Sequence, residues 1–239
     1  MAIVKAVFFD IDNTLYNFDK AHNVAMEELL KYGKREFSLD PDSMEMLLSK
    51  AQGLVTKRLG TDNPAIHNRL IRFQCFMELL KYPVFTKAME MNQIYWDTLL
   101  SVVTPEEGLL PLLETLHKLH IPMGIGSDQN SYIQYRKLQK LGILEYFSFI
   151  VTSEEAGREK PAPVFFRLCI EKAHCNPDEC IFIGDNIKKD VTGALQNGLC
   201  GIWYNIKKCE TKKYSIIHSY KDCIKTNCIQ LGSHIIIED

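Results

Sequence analysis

The chain has 239 residues, of which 46% are hydrophobic and 24% are charged, and its formal net charge at pH 7 is −2. These proportions are ordinary for a globular protein that builds a full hydrophobic core. The near-neutral balance lacks the positive charge of nucleic-acid-binding proteins, and no apolar run reaches the length of a membrane span. We therefore expect neither a nucleic-acid partner nor a membrane partner.

The eight cysteines are scattered along the chain without CxxC pairs. A chain of this size does not need disulfides to fold, so we interpret them as reduced thiols and predict a cytoplasmic protein. The N-terminus lacks the basic flank and cleavage site of a signal peptide, which agrees with that prediction. Cys209, His218, Cys223, Cys228 and His234 lie close together in the tail, but their spacings match no zinc-finger pattern.

The first predicted element is a strand at residues 3–9. This almost continuous apolar run is typical of a strand buried on both faces of a parallel sheet. Asp10 and Asp12 follow it directly. Two carboxylates at the end of a buried strand are costly without a compensating cation, and ligands bind beyond the strand ends of open α/β sheets. These residues are therefore candidates for chemistry. The alternative is that Asp10 and Asp12 form a turn, in which Asp12, Asn13 and Thr14 cap the following segment.

Residues 17–103 have the hydrophobic spacing of helices and contain no convincing buried strand. The pattern predicts one helix from Asp19 to Gly33, a second that begins at Asp40–Pro41, a third after Asn63–Pro64, and a fourth at about 86–100. Because this segment separates two parts of an α/β pattern, we predict an inserted helical domain. Its methionine and aromatic residues are interpreted as packing.

Strands and helices alternate from residue 104 onwards, which predicts right-handed βαβ units and a parallel sheet. The predicted elements are helices at 106–120, 131–141, 161–174 and 190–197 and strands at 121–126, 149–151, 180–183 and 201–204. In the tail we predict an edge strand at 215–218 and a helix at 220–229, and the last six residues are either a strand or a loose end. The predicted fold is α/β, a doubly wound, Rossmann-like parallel sheet (1–16 plus 104–239) with an all-helical cap (17–103).

Further polar residues follow other predicted strands. Ser127 ends the second strand, Lys160 lies between the third and fourth, and Asp185 ends the fourth, with Asp190 five residues later. Each alone is as well explained by a turn, a helix cap or a solvated charge. Because the carboxyl ends of parallel strands meet at one edge of a sheet, their joint occurrence indicates a common site.

Electrostatics gives one reason for such a set. Carboxylates of Asp10 and Asp185 at 4 Å would repel each other by about 4 kcal/mol at an effective dielectric constant near 20. A hard divalent cation removes that cost, and ligands that are all oxygen favour Mg²⁺ over zinc. Lys160 and Ser127 supply the positive charge and the hydroxyl that a phosphate group needs. The set therefore predicts phosphoryl transfer, in which positioning and charge neutralisation dominate.

With DIDNT at residues 10–14, Ser127, Lys160 and GDNIKKD at 184–190 in this order, the chain resembles phosphatases of the haloacid dehalogenase superfamily. The resemblance is to the subfamily with a helical cap inserted after the first strand, which includes nucleotidases and phosphoglycolate phosphatases. It extends from Ile3 to about Tyr204. It implies a Mg²⁺-dependent phosphatase that hydrolyses small soluble phosphomonoesters.

The resemblance also implies roles for individual residues. Asp10 would be the nucleophile that forms an aspartyl-phosphate. Asp12 would protonate the leaving oxygen and then act as the base toward water. Ser127 and Lys160 would bind the phosphoryl oxygens, and Lys160 would also hold Asp10.

For the metal, the resemblance implies that Mg²⁺ is bound by the Asp10 carboxylate, the Asp12 backbone carbonyl and Asp185. Asp190 would orient that site or Lys160. The chain departs from the subfamily at Asp128, where asparagine is usual. We interpret Asp128 as a cap of the helix that begins near Ser131, the alternatives being a contact with a cation or an effect on the leaving group.

Other function classes fit less well. A dehalogenase of the same fold needs no acid for a halide leaving group and lacks the second aspartate, so Asp12 favours phosphate. A receiver domain places its acceptor on an interior strand of a shorter chain, and a non-catalytic binding module would not need every catalytic position filled. The expected partner is a small phosphate ester, a nucleotide or a sugar phosphate. Neither the individual ester nor the oligomeric state is predicted.

Overall fold

The structure, a computed structural model, describes residues 4–206, 209, 213–225 and 228–237. Contacts divide the chain into two compact units, Met1–Asn17 with Thr104–Asp239 and Phe18–Val103. In the ranges just given, no helix combines the length and the apolar character needed to cross a membrane. All eight cysteines are free thiols.

The first unit contains a six-stranded sheet in which every neighbouring pair is parallel. Its strands are β1 (Ala6–Phe9), β2 (Met123–Ser127), β3 (Phe149–Thr152), β4 (Cys180–Gly184), β5 (Cys200–Tyr204) and β6 (Ser215–Ile217). The order is β3-β2-β1-β4-β5-β6, so the chain proceeds to opposite sides of β1. Such a switch point creates a crevice at the carboxyl ends of the strands. The predicted α/β fold class is confirmed.

All four residues of β1 are fully buried, because the strand lies in the middle of a sheet that is covered on both faces. Phe9 is paired with Ile125 of β2 and with Ile183 of β4. The residues that follow β1 and β4 therefore leave the sheet at the same level. This register places Asp10 and Asp185 at one edge.

The helices include most of those predicted. In chain order they are α1 (Phe18–Phe37), α2 (Pro41–Leu59), α3 (Arg69–Leu80), α4 (Val84–Ser101), α5 (Leu109–Lys118), α6 (Ser131–Leu141), α7 (Ser153–Ala156), α8 (Pro163–Ala173) and α9 (Gly193–Gln196). Shorter 3₁₀ turns are Pro64–His67, Leu144–Tyr146, Pro177–Glu179 and Tyr220–Cys223. The helix predicted at 190–197 is a π-helical turn, Ile187–Thr192, followed by α9. π-turns are frequent at functional sites.

The second unit is a bundle of four α-helices, in which α1 packs on α4 and α2, and α3 packs on α2 and α4. The predicted start of α2 is correct, because the Asp40 side chain accepts a hydrogen bond from the Ser43 amide at 2.9 Å and Pro41 occupies the first turn. Such caps satisfy amide groups that have no partner within the helix.

The sequence predicted that α1 ends at Gly33, but the helix continues to Phe37. A Cβ atom at Gly33 would lie 2.7 Å from the sulfur of Met44. The glycine thus permits close packing against α2, and the turn out of the helix is made by Ser38, which has a φ of 54°.

The helix predicted at 220–229 is wrong. After the 3₁₀ turn the chain forms a separate antiparallel sheet of β7 (Ile224–Lys225), β8 (Cys228–Leu231) and β9 (His234–Ile237); residues 226–227 and 238–239 lie outside the described residues. In β8 Ile229 and Leu231 are buried while Gln230 is exposed. This alternation with a period of two residues is typical of a strand and outweighs the helical interpretation.

Candidate active site

Four of the predicted site residues come together at the carboxyl edge of the sheet. Asp10 follows β1, Asp185 follows β4, Lys160 lies in the loop before α8, and Asp190 lies in the π-helical turn. The amide of Asp10 donates to the carbonyl of Ile183 at 2.9 Å, which continues the ladder between β1 and β4 by one residue. The position of Asp10 is therefore fixed by the sheet itself.

Lys160 is a buried cation at the centre of this group. Its Nζ lies 2.8 Å from Oδ1 of Asp10 and 2.6 Å from Oδ1 of Asp190, and it donates to the carbonyl of Gly126 at 3.0 Å. Burial alone would lower the pKa of Lys160, but the charges of Asp10 and Asp190 outweigh it and raise that pKa above its usual value. Lys160 is therefore positively charged and holds one oxygen of Asp10. In the described part of the chain, no hydrogen-bond donor contacts the other oxygen, Oδ2.

Three carboxylates at this edge form an acidic cluster: Asp10, Asp185 and Asp190 each place one oxygen within 4.8 Å of the others. Burial raises the pKa of Asp10 to about 6, although Lys160 opposes the rise. Burial and the charge of Asp10 raise the pKa of Asp185 to about 7. With one lysine among three carboxylates, the ionised cluster carries an excess negative charge of two. Its all-oxygen donors and its charge fit a hard divalent cation.

Asp190 approaches the end of β4 so closely that only glycine fits there. A Cβ atom at Gly184 would lie 2.3 Å from Oδ2 of Asp190. The same oxygen accepts a hydrogen bond from the amide of Asn186 at 2.9 Å. Asp190 is thus held against the strand end while its other oxygen faces Lys160.

The side chain of Asp12 is bound by partners of its own. Nζ of Lys137 lies 2.7 Å from each of its carboxylate oxygens, and the hydroxyl of Tyr16 donates to Oδ1 at 2.6 Å. The Lys137 side chain is fully buried, whereas that of Asp12 is 28% exposed. The sequence analysis missed both partners. Lys137 lies within the regular pattern of α6, and nothing in that pattern distinguishes it from a surface lysine.

Ser127 is buried at the end of β2. Its hydroxyl accepts a hydrogen bond from the side-chain amide of Gln134 at 2.9 Å, and the same amide donates to the carbonyl of Asp128 at 3.0 Å. Gln134 therefore fixes the turn that follows β2. The phosphate-binding role of Ser127 stays a prediction.

Asp128 does not cap α6, contrary to the interpretation from the sequence. The cap is Asn130, whose side chain accepts from the amide of Ile133 at 3.0 Å. Asp128 instead accepts from the amide of Lys160 at 3.0 Å and pairs with Nζ of Lys189 at 2.8 Å. The extra carboxylate is thus paired with a lysine and ties together the loops that follow β2, β3 and β4.

The metal ligands implied by the resemblance are only partly matched by this cluster. Asp10 and Asp185 belong to it, and so does Asp190, which the resemblance places outside the metal ligands. The carboxylate of Asp12 is bound to Lys137 instead. A metal role for Asp12 rests on its backbone carbonyl and stays a prediction.

Known proteins provide an independent comparison. A family model described as haloacid dehalogenase-like hydrolase matches residues 4–198. The ribulose-1,5-bisphosphate 5-phosphatase of Halopiger xanaduensis is 29% identical over 196 residues, which cover 81% of this chain and 82% of that protein. A pyrimidine 5'-nucleotidase of Escherichia coli is 28% identical over 206 residues, with 83% and 85% covered. A phosphatase structure from Thermococcus onnurineus has a TM-score of 0.70 at 24% identity and covers 92% of this chain and 95% of its own.

Proposed function

Because the chain belongs to the haloacid dehalogenase-like hydrolases, we propose that it is a phosphatase that passes the phosphoryl group of a small phosphomonoester first to Asp10 and then to water. The observation that carries this proposal is the environment of Asp10, a buried carboxylate whose Oδ1 is held by Lys160 at 2.8 Å within an acidic cluster. The relatives named above are phosphatases of small phosphate esters, which supports the reaction class.

In the first step Oδ2 of Asp10 attacks phosphorus while the bond between phosphorus and the ester oxygen breaks. Asp10 suits this role because Lys160 fixes its orientation through the other oxygen. The covalent step divides a difficult hydrolysis into two easier transfers. The product of the first step is an aspartyl-phosphate and an alcohol.

Asp12 serves as the general acid for the departing oxygen. In the second step it takes a proton from the water that attacks the aspartyl-phosphate, which releases inorganic phosphate and restores Asp10. Lys137 and Tyr16 act through Asp12 as positioning residues, since their contacts define where its carboxylate lies.

Lys160 and Ser127 are the groups we propose to bind phosphoryl oxygens. Lys160 supplies a buried positive charge and Ser127 a hydroxyl at the end of the neighbouring strand. The residues that would hold Mg²⁺ are Asp10, Asp185 and Asp190, together with the Asp12 carbonyl. When bound, the ion would neutralise the excess negative charge and so admit a phosphate dianion.

The leaving group is a nucleoside or a sugar in this proposal. Sugar phosphates and nucleotides are what the two relatives act on according to their names. The dehalogenase alternative is disfavoured by Asp12, an acid for which a halide leaving group has no use. The free thiols agree with action in the cytoplasm, where cysteines stay reduced.

The test is the release of inorganic phosphate from a panel of sugar phosphates and nucleoside monophosphates by the purified chain. We expect hydrolysis with Mg²⁺, and also hydrolysis of para-nitrophenyl phosphate, whose leaving group needs little protonation. Failure to hydrolyse any of these esters with Mg²⁺ would refute the proposed function.

A further inference from the structure

Two cysteines meet at the end of the sheet opposite the candidate active site. Sγ of Cys175 lies 2.9 Å from Sγ of Cys180, within hydrogen-bonding contact. Cys180 is the first residue of β4, and Cys175 follows His174, whose φ of 52° ends α8. In the described ranges, no other two of the eight thiols make such a contact.

The 3₁₀ turn Pro177–Glu179 holds the two cysteines in place. The amide of Asn176 donates to the carboxylate of Glu179 at 2.9 Å, and the amide of Glu179 donates to the carbonyl of Asn176 at 3.1 Å. Lys5, just before β1, pairs with the Glu179 carboxylate at 2.6 Å, and its amide donates to the Glu179 carbonyl at 2.9 Å. The neighbouring strand therefore fixes the turn, and the two sulfurs are in contact without any rearrangement of the backbone.

The two thiols differ in their access to solvent. Cys180 is fully buried, whereas Cys175 is half-buried and lines an open cavity of about 630 Å³ together with Lys5 and His174. Burial, and then the contact with Cys175, raises the pKa of the Cys180 thiol. A small oxidant that enters the cavity therefore reaches Cys175 first, with Cys180 behind it as a second thiol.

We propose that Cys175 and Cys180 form a modification site, a dithiol that a hydroperoxide oxidises to an internal disulfide, with Cys175 reacting first. Two sulfurs that are held in contact react with the advantage of an intramolecular step. The disulfide returns to two thiols on reduction, whereas the sulfinic and sulfonic acids of a single cysteine do not. This inference is independent of the proposed phosphatase function. It is compatible with the proposed cytoplasmic location, since cytosolic disulfides are usually transient.

The oxidation proceeds in two balanced steps. The Cys175 thiolate attacks one oxygen of hydrogen peroxide, the O–O bond breaks, and a sulfenic acid forms while the other oxygen leaves as hydroxide and takes up the proton that the thiol had lost. The Cys180 sulfur then attacks the Cys175 sulfur, the S–O bond breaks, and the departing hydroxide takes the proton of the Cys180 thiol. Two thiols are thus oxidised to one disulfide, and the peroxide is reduced to water.

The direct test is mass spectrometry of the reduced protein after treatment with a few equivalents of hydrogen peroxide, alkylation in denaturant and digestion with trypsin. Cleavage at lysine gives the peptide 173–188, which contains Cys175 and Cys180 and no other cysteine. We expect this peptide to lack two hydrogens and to carry no alkyl group, and to regain both thiols when dithiothreitol precedes alkylation. Alkylation of both cysteines after peroxide treatment, or a disulfide of either one with another cysteine, would overturn the proposal.

Cys200 provides a matched control. It is half-buried at the same end of the neighbouring strand β5, and its sulfur contacts the carbonyl of Asp178 at 3.7 Å. Cys200→Ala, which removes a thiol close to the pair, should form the disulfide in the same yield as the wild type. A disulfide that depends on Cys200 would contradict the assignment of the pair.

The order of the two steps is tested with dimedone, which traps sulfenic acids. Dimedone labelling of Cys175 should be about tenfold higher in Cys180→Ala than in the wild type, because only the wild type has a second thiol in contact that competes with the trap. Equal labelling in the two proteins would show that Cys180 does not react with the sulfenic acid and would refute the internal disulfide.

Cys175→Ser, at the more exposed position, covers the case in which Cys180→Ala does not fold. In this variant Cys180 should still be alkylated in denaturant after peroxide treatment, because the buried thiol is not reached directly. Oxidation of Cys180 in Cys175→Ser would contradict the role of Cys175 as the thiol that reacts first.

Discussion

The two units of the chain each contain a partly buried group of titratable side chains, one acidic and one basic. The acidic cluster of the sheet edge holds three carboxylates around Lys160, so an excess negative charge remains. In the helical unit, the guanidinium of Arg69 lies 3.9 Å from the centre of the Tyr95 ring, and Nδ1 of His22 is 2.8 Å from the Tyr95 hydroxyl. We call Arg69, Arg72 and His22 the basic cluster. Burial makes an unbalanced charge costly, so the acidic cluster indicates a cation as its ligand, whereas the basic cluster keeps His22 neutral.

Ion pairs next to the acidic cluster sharpen this contrast. Asp12 is paired with Lys137, and Lys189 is shared by Asp128 and by Glu159 at 2.9 Å. The pair of Asp12 and Lys137 needs no ligand to offset its charge. These ion pairs orient the loops and side chains around the cluster.

The largest expected effect is that of Asp10→Asn, because it removes the nucleophile and leaves the sheet intact. We expect kcat for para-nitrophenyl phosphate to fall about a thousandfold or more. Asp178→Asn, at an exposed position of the same unit, should retain activity. A near-normal rate in a folded Asp10→Asn protein would remove Asp10 from the mechanism.

Loss of the cation should have the next largest effect. EDTA should abolish hydrolysis of the same ester, and added Mg²⁺ should restore it, because the acidic cluster then recovers its neutralising charge. Asp185→Asn should raise the Mg²⁺ concentration needed for half-maximal rate by about 10- to 100-fold. Unchanged turnover in EDTA would show that the acidic cluster needs no cation for hydrolysis and would contradict the proposed metal site.

Lys137→Met tests whether the ion pair of Lys137 and Asp12 affects catalysis by positioning the Asp12 carboxylate. It should lower kcat for ethyl phosphate about tenfold, with a smaller effect on para-nitrophenyl phosphate, because only the alkoxide needs Asp12 as an acid. Lys137→Arg should restore part of the difference, and Lys140→Met, exposed on the same helix, should have no effect. Equal losses on the two esters would indicate a structural role only.

The fold was largely predictable from the sequence because the apolar runs of β1 and β4 and the helical spacing of the insertion are strong periodic patterns. The site was predictable in part, since Asp10 and Asp185 end strands that must meet at one edge. The contact of Lys137 with Asp12 was not predictable, because the two residues are 125 positions apart and a lysine in an amphipathic helix is usually exposed. The helix predicted in the tail was wrong because the strands there have only two to four residues each, too few for a clear period in the sequence.

The smallest effect concerns His22 in the basic cluster. Burial and the charges of Arg69 and Arg72 lower its pKa to about 4, below the ordinary 6.5. Between these pH values the unfolded chain binds a proton that the folded chain does not, so stability should fall as pH decreases from 6.5 to 4. We expect a loss of roughly 1–2 kcal/mol, less than the full shift implies because solvent reaches the ring.

Urea unfolding of the wild type and of His22→Gln at several pH values measures this contribution of His22 to the free energy of unfolding. The difference in free energy of unfolding between the two proteins should change over that interval and be constant above it. A constant difference at all pH values would show that burial and the two arginines do not disfavour a positive charge on His22.

The most direct test of the central claim is to find where the phosphoryl group goes. The chain should be quenched in acid during turnover of a good substrate and digested, and its peptides analysed by mass spectrometry, with Asp12→Asn used to let the intermediate accumulate. We predict the added mass of one phosphoryl group on the peptide that contains Asp10, and its absence in Asp10→Asn. Phosphate release without any label on this peptide, or a label on another residue, would contradict the account.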